Sequence, residues 1–178
     1  MNKSGAFIFS IFLLTTCVSA ATSARAQENP DRKQPVNIEA DRGSFDDRNK
    51  VQVFEGRVIL TQGSLVIKGD KLVVTQGADG FQTGVATANP PKFATFRQKR
   101  AESDEIVEGE ADRIEYDSRT EKAKLFTRAR VVSSNGDEVR GDYIEYDALT
   151  ENYYVKSQPG TKNERVHAVI QPKGSSAQ

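Results

Sequence analysis

An all-β fold of stacked antiparallel strands is what this sequence predicts, and three observations predict it. Apolar and polar residues alternate with a period of two along most of the chain, as in strands that bury one face only. Turn signals cut this alternation at Asp46-Asp47-Arg48-Asn49, Gln62-Gly63, Gly77-Ala78-Asp79-Gly80, Ser134-Asn135-Gly136 and Ala148-Leu149-Thr150, leaving runs of about 5 to 7 residues, or roughly 17 to 23 Å of strand. The third observation is repetition. Glu39-Ala40-Asp41-Arg42 returns as Glu110-Ala111-Asp112-Arg113, Lys68-Gly69-Asp70 as Arg140-Gly141-Asp142, Phe45-Asp46 as Tyr116-Asp117, Lys50 as Lys122 and Phe54 as Phe126. The offset is 71 residues at first and 72 later, which places one added residue near Thr120. Self-similarity at a fixed spacing means stacked supersecondary units, here two similar halves, and stacked units present a continuous surface suited to binding.

The elements follow in order. Met1 to Gly5 carries Lys3, Ala6 to Ala20 is apolar but short for a membrane span, and Ala24-Arg25-Ala26 has the small-x-small pattern of a signal peptidase site. Residues 1–26 are therefore read as a signal peptide cleaved after Ala26, with Val18-Ser19-Ala20 as a second site. Leu14-Thr15-Thr16 lacks the small residues of a lipobox, so Cys17 is expected to leave with the signal. Residues 27–35, polar and proline-bearing, are read as a disordered lead-in, and 36–171 as one domain. Strands are expected wherever alternation is clean: Val36-Ile38-Ala40, Val51-Val53, Val58-Leu60, Leu65-Ile67, Leu72-Val74, Ile114-Tyr116, Ala123-Leu125 and Ile144-Tyr146. Asn135-Gly136, where both residues tolerate positive φ, is the strongest hairpin signal. Arg97 to Asp112 is charged and contains Ser103-Asp104-Glu105; it is read as an inter-copy loop with a turn of helix. The tail 172–178 is read as disordered.

Composition bounds the function. Without residues 1–26 the chain has 152 residues, enough for one ordinary core, and no cysteine for a disulfide, thiolate nucleophile or Cys-based metal site. Removing Lys3 and Arg25 leaves 23 basic against 25 acidic residues, which argues against a nucleic-acid partner. Trp is absent and Met1 is the only methionine, a thin apolar content that suits strands burying one side.

The repeated phrase is Asp, three residues, aromatic, Asp: Asp41 to Phe45-Asp46, Asp112 to Tyr116-Asp117 and Asp142 to Tyr146-Asp147. Asp70 opens similarly but ends in Val74-Thr75. Stacked aspartates could act as paired carboxylates or bind calcium. The preferred reading is structural: the first Asp bonds backbone at a corner after a Gly or Ala, the aromatic fills the interior, and the second Asp opens a turn. His167, the only histidine, alternates between Val166 and Ala168 and is read as an outward strand residue. Lys122, Lys124, Arg128 and Arg130 share one parity and could meet lipid phosphates, though a solvated outer face is the commoner explanation. No phosphate loop or Gly-x-Ser-x-Gly is present. No catalytic residue, metal or cofactor is expected.

Val36-Asn37-Ile38-Glu39-Ala40-Asp41, Phe54-Glu55-Gly56-Arg57-Val58, Thr61-Gln62-Gly63, Ala94-Thr95-Phe96, Glu108-Gly109 and the Lys/Arg-Gly-Asp phrases together resemble, in this order over about Val36 to Pro172, the OstA-like family of periplasmic lipopolysaccharide-transport proteins. The resemblance implies a folded-over antiparallel β-jelly-roll, V-shaped and open-ended, whose groove shelters the acyl chains of lipid A. It also implies a non-enzymatic periplasmic protein that associates head to tail and bridges an inner-membrane LptC-type partner to an outer-membrane LptD-type one. On inward parity the lining would be Ile38, Phe45, Leu60, Ile67, Phe96, Ile114, Tyr116, Leu125, Ile144 and Tyr146. The association edges would be Val36 and Ile38 at one end, and Val166, Ala168 and Ile170 at the other.

Three competing readings are kept. An LptC-type component would retain a membrane anchor, and an LptD-type one would carry a long barrel. A carbohydrate-active β-solenoid enzyme would need the aspartates gathered in an open cleft. A periplasmic scaffold would bind no lipid.

Overall fold

The computed structural model describes residues 29–101, 103–158, 160 and 165–172. The expected signal peptide with Cys17, residues 27 and 28, and the tail from Lys173 on lie outside the described residues. Among the described residues twelve strands follow one another: β1 (Asn37–Glu39), β2 (Arg42–Asp46), β3 (Val51–Gln62), β4 (Leu65–Gln76), β5 (Gln82–Thr87), β6 (Ala94–Lys99), β7 (Ile106–Ala111), β8 (Arg113–Asp117), β9 (Lys122–Ser133), β10 (Glu138–Asp147), β11 (Asn152–Lys156) and β12 (His167–Val169). Every pairing among them is antiparallel.

The four long strands explain the architecture. β3, β4, β9 and β10 each change partners halfway, so that each contributes one half to each of two layers. In the first layer β2, the N-terminal half of β3, the C-terminal half of β4, β5, β8, the N-terminal half of β9, the C-terminal half of β10 and β11 are neighbours in that order. The second layer runs in parallel: β1, the other halves of β3 and β4, β6, β7, the other halves of β9 and β10, then β12. The sheet is thus folded over along a spine, giving the antiparallel β-jelly-roll that the resemblance implied, built from the one-sided strands that the alternation predicted.

At the spine the backbone must turn sharply. β3 does so at Gly56 and Arg57 (φ 80° and 46°), and β9 at Thr127 and Arg128 (φ 63° and 52°). The register shifts there, between Glu55 and Val58 in the β3–β4 pair and between Gly141 and Tyr143 in the β9–β10 pair. A bulge bends a strand and re-aims its side chains. Accordingly buried Leu65 and Ile67 have odd numbers, whereas buried Leu72 and Val74, beyond the bend, have even ones.

Three sequence expectations need correction. Arg97 to Asp112 is no helical loop: β6 and β7 occupy most of it, with only residues 100–105 between them. Small inward residues hid this strand, since Val107, Gly109 and Ala111 are buried while Glu108 and Glu110 point outward. The lead-in is ordered from Asn29 onward. Asn29 caps a 3-10 turn over Pro30–Lys33, Asp31 accepts from the Ser64 backbone N–H at 2.8 Å, and the Gln62 amide donates to the Gln34 carbonyl at 3.1 Å. Finally, the added residue is not near Thr120. Arg57 and Arg128 stand 71 residues apart at equivalent corners, and so do Thr61 and Val132, whereas their partners Val66 and Glu138 are 72 apart. The insertion therefore sits in the β9–β10 turn. Phe54 and Phe126 are not equivalent: Phe54 is buried, and Phe126 faces outward against Arg113 and Tyr143.

Candidate functional site: the interlayer slot

The spine is built by the aspartate phrases. Asp41 takes the Arg57 guanidinium at 3.0 Å, Asp112 takes Arg128 at 2.8 Å, Asp70 takes the Asn89 N–H at 2.9 Å and Lys92 at 3.1 Å, and Asp142 takes the Gln158 N–H at 2.8 Å. The Arg57 hydrogen bond holds the Asp41 carboxyl below the usual carboxylate range. The second aspartates open the turns at the opposite margin. Asp46 accepts from the Asn49 N–H, Asp117 from those of Arg119 and Thr120, and Asp147 from those of Leu149 and Thr150. The turn half of the reading holds for the second aspartates, whereas the first ones bond partners 16 to 19 residues away, arginine side chains at Asp41 and Asp112 and backbone N–H groups at Asp70 and Asp142, rather than their own backbone. Among the described residues no group of three or more His, Cys, Asp or Glu is placed to hold a metal ion.

Strand register brings the candidate lining together. Across the second layer one inward row runs Ile38, Leu60, Ile67, Phe96, Gly109, Val131, Val139, Ala168. Across the first layer a row runs Gly43, Phe54, Leu72, Ala86, Ile114, Leu125, Ile144, Val155. Beside it runs Phe45, Gln52, Val74, Gly84, Tyr116, Ala123, Tyr146, Tyr153. All ten candidate residues lie on these rows. Leu60, Ile67, Phe96, Ile114, Leu125, Ile144 and Tyr146 are buried, and Ile38 and Tyr116 pack partly buried against them.

Phe45 is the departure. It keeps the inward parity, edge-to-face with Phe54 at 5.6 Å, but is 65% exposed rather than interior because its row ends there. Parity missed Tyr153, which extends the aromatic core. Tyr146 stacks on Phe96 at 6.1 Å and on Tyr153 at 4.9 Å. Burial pushes the Tyr116 and Tyr146 phenols upward, so both are neutral across the physiological range.

Opposite the spine the layers meet at a mouth. Arg32, on the 3-10 turn held by the Gln62–Ser64 hairpin, reaches Glu121 in the β8–β9 turn at 3.5 Å and lies over the Phe81 ring. Gln98 of β6 hydrogen-bonds the Tyr116 hydroxyl of β8. Arg100, in the β6–β7 loop, pairs with Glu151 of the β10–β11 turn and donates to the Tyr153 hydroxyl at 3.3 Å.

The outer face is ionic. Lys122 pairs with Glu145 at 3.1 Å, Arg128 with Asp112, and Arg130 with Glu138 at 2.8 Å; Lys124 stands near Glu145. This matches a solvated face. Arg130 and Arg140 together lower the Glu138 carboxyl from 4.5 to about 2. A depressed carboxyl contributes stability that is present above the unfolded value and lost as pH falls through the folded one. Glu138→Gln should therefore flatten the loss of thermal stability between pH 4.5 and about 2, read as melting temperature against pH.

Among the described residues, the layers have no further strand at their two ends. β1 and β2 pair only with β3, while β11 and β12 pair only with β10. Val36 precedes β1 and Val166 precedes β12, both exposed; Ala168 lies within β12, and Ile170 beyond it is 81% exposed. His167 on β12 is exposed. A pocket of about 240 Å³ at this end is lined by Val131, Val139, Tyr153, Val169, Ile170 and Arg100, so the interior surfaces there.

This geometry has known counterparts. The family model for the LptA/(LptD N-terminal domain) LPS transport protein matches residues 37–152, from β1 to the start of β11. The chain belongs to this family. Similar to it is the lipopolysaccharide export system protein LptA of Haemophilus influenzae, 32% identical over 91% of either chain. The LptA of Escherichia coli strain K12 is 31% identical over 96% of this chain and 88% of its own. The crystal structure of LptH, the LptA homologous periplasmic component of the lipopolysaccharide transport device of Pseudomonas aeruginosa, superposes with a TM-score of 0.71 at 27% identity, covering 80% of this chain and 99% of that one. Within the LptA/LptD N-terminal family, then, the spine, the inward rows and the unpaired ends are the features to weigh.

Proposed function

We propose that this chain is a periplasmic lipopolysaccharide-transport protein that shelters lipid A acyl chains between its two layers. The observation that carries this reading is the pair of continuous inward apolar faces, which run from one unpaired end to the other. Each methylene withdrawn from water contributes roughly 0.8 kcal/mol, so several acyl chains supply ample driving force without a specialised side chain. No catalytic step enters this reading. Native mass spectrometry of the protein purified from its own envelope should show co-bound lipopolysaccharide; protein that is consistently lipid-free would leave the scaffold alternative standing.

Export to the periplasm, with cleavage after Ala26, belongs to the same reading, as does head-to-tail bridging between an LptC-type and an LptD-type partner. The order of the layers supports it. A following copy can place its β2 against β11 and its β1 against β12, continuing both layers at once. A head-to-tail contact does not close, so mass should rise with concentration. In that arrangement the exposed Phe45 of one copy joins the aromatic row of the next beside Tyr153. Phe45→Asp should weaken self-association roughly tenfold or more in light scattering, while leaving the monomer folded.

A further inference from the structure

The interior is closed along its length: Val107, Ile114, Leu125 and Ile144 are at most 1% exposed. Apart from the small pocket at the β11–β12 end, acyl chains reach the interior where the layers part. Along the spine β3, β4, β9 and β10 run covalently from one layer to the other, which makes the spine a hinge and leaves the mouth as the side that opens. The contacts that hold the mouth therefore decide loading.

Two of these contacts share one design. Glu121 and Glu151 each close a turn opened by an aspartate (Asp117, Asp147), and each sits at positive φ, 52° and 56°. Each is met by an arginine from the opposite lip: Arg32 on the 3-10 turn, Arg100 on the β6–β7 loop. The third turn of this kind ends in Lys50 at φ 56° and carries no glutamate there. Arg32 and Arg100 are also the arginines that bridge the lips, whereas Lys122, Arg128 and Arg130 are paired on the outer face.

We propose that Arg32 and Arg100 are exchangeable latches. With the slot empty each holds a turn glutamate of the other layer; when acyl chains part the layers, each turns to a phosphate of the lipid headgroup. The inference rests on the slot being a lipid carrier. A guanidinium presents the same planar fork to carboxylate and to phosphate, so one charge-assisted contact replaces another. Chains inserted through the mouth leave the polar headgroup between the lips, where these arginines stand. Opening also admits water to Glu121, whose side chain is fully covered when the mouth is shut, and so offsets the loss of its partner.

The test measures binding of lipid A with its phosphates and of the same lipid dephosphorylated, using the full mature chain. Wild type should favour the phosphorylated form by about tenfold or more. The Arg32→Gln/Arg100→Gln pair should bind both forms alike, and Glu151→Gln, which removes the cross-layer partner of Arg100 and leaves it Glu105 of its own loop, should load the phosphorylated form several-fold faster. Arg100→Lys, which keeps the charge but not the fork, should fall between if the double variant does not fold. A double variant that keeps the wild-type preference overturns the proposal, as does a Glu151→Gln variant that loads no faster, or an Arg100→Lys variant indistinguishable from wild type. Failure of the wild type to bind either lipid defeats the carrier reading itself, and the latch with it.

Discussion

Replacing Gly109 by valine should destabilise the protein by about 3 kcal/mol or more, seen as a fall of roughly 10 °C in melting temperature. Gly109 lies directly opposite Phe96 in the β6–β7 pair, and the Phe96 ring covers it. A Cβ added there would lie 2.1 Å from Phe96 Cε1 and 2.9 Å from Leu125 Cδ2. Phe96 is itself fixed, stacked on Tyr146 and 2% exposed, so the ring has nowhere to retreat without disturbing the interlayer contact. The requirement here is for space rather than for unusual backbone. Even Gly109→Ala should be destabilising, and circular dichroism melts of the two variants should rank valine below alanine and alanine below wild type.

Leu125→Ala should cost about 3 kcal/mol by the opposite route. Leu125 is 0% exposed, flanked in the first layer by Ile114 and Ile144, and its Cδ2 approaches Gly109 in the second layer. Truncation removes buried methyl groups and leaves a cavity where the layers meet, in a place hemmed by paired strands that cannot collapse freely. Denaturant unfolding should show a lower midpoint with little change in slope. Because Leu125 and Gly109 touch the same space, their combined effect should be less than additive.

How far the sequence could be read depended on whether the deciding interaction was local. The second aspartates were legible because turn chemistry is settled within a few residues: Asp117 and Asp147 bond backbone two and three residues on, whereas the corner aspartates find partners 16 to 19 residues away. Inward parity was legible too, and placed all ten lining candidates on the inner rows. It misjudged the exposure of Phe45, because parity gives the face of a strand but not whether another strand lies beyond it. β7 was missed since its inner face carries only Val107, Gly109 and Ala111, and the lack of a side chain at Gly109 is explained by the Phe96 ring of the neighbouring β6. The ordered lead-in escaped for a similar reason, as Asp31 finds its partner Ser64 33 residues away. Phe54 and Phe126 matched by residue type, yet the corner geometry at Arg57 and Arg128 sets the true equivalence. Long-range pairing therefore accounts for each misreading, and the latches at the mouth depend on it entirely.

The claim on which the account turns is that lipid lies between the layers. Site-specific photo-crosslinking in the bacterial envelope tests it most directly, with the photoreactive residue placed at Ile38 or Tyr116 on the inner face and at Lys124 on the outer face. Adducts with lipopolysaccharide are expected from Ile38 and Tyr116 and none from Lys124. Adducts confined to Lys124, or absent from both inner sites, would contradict the claim.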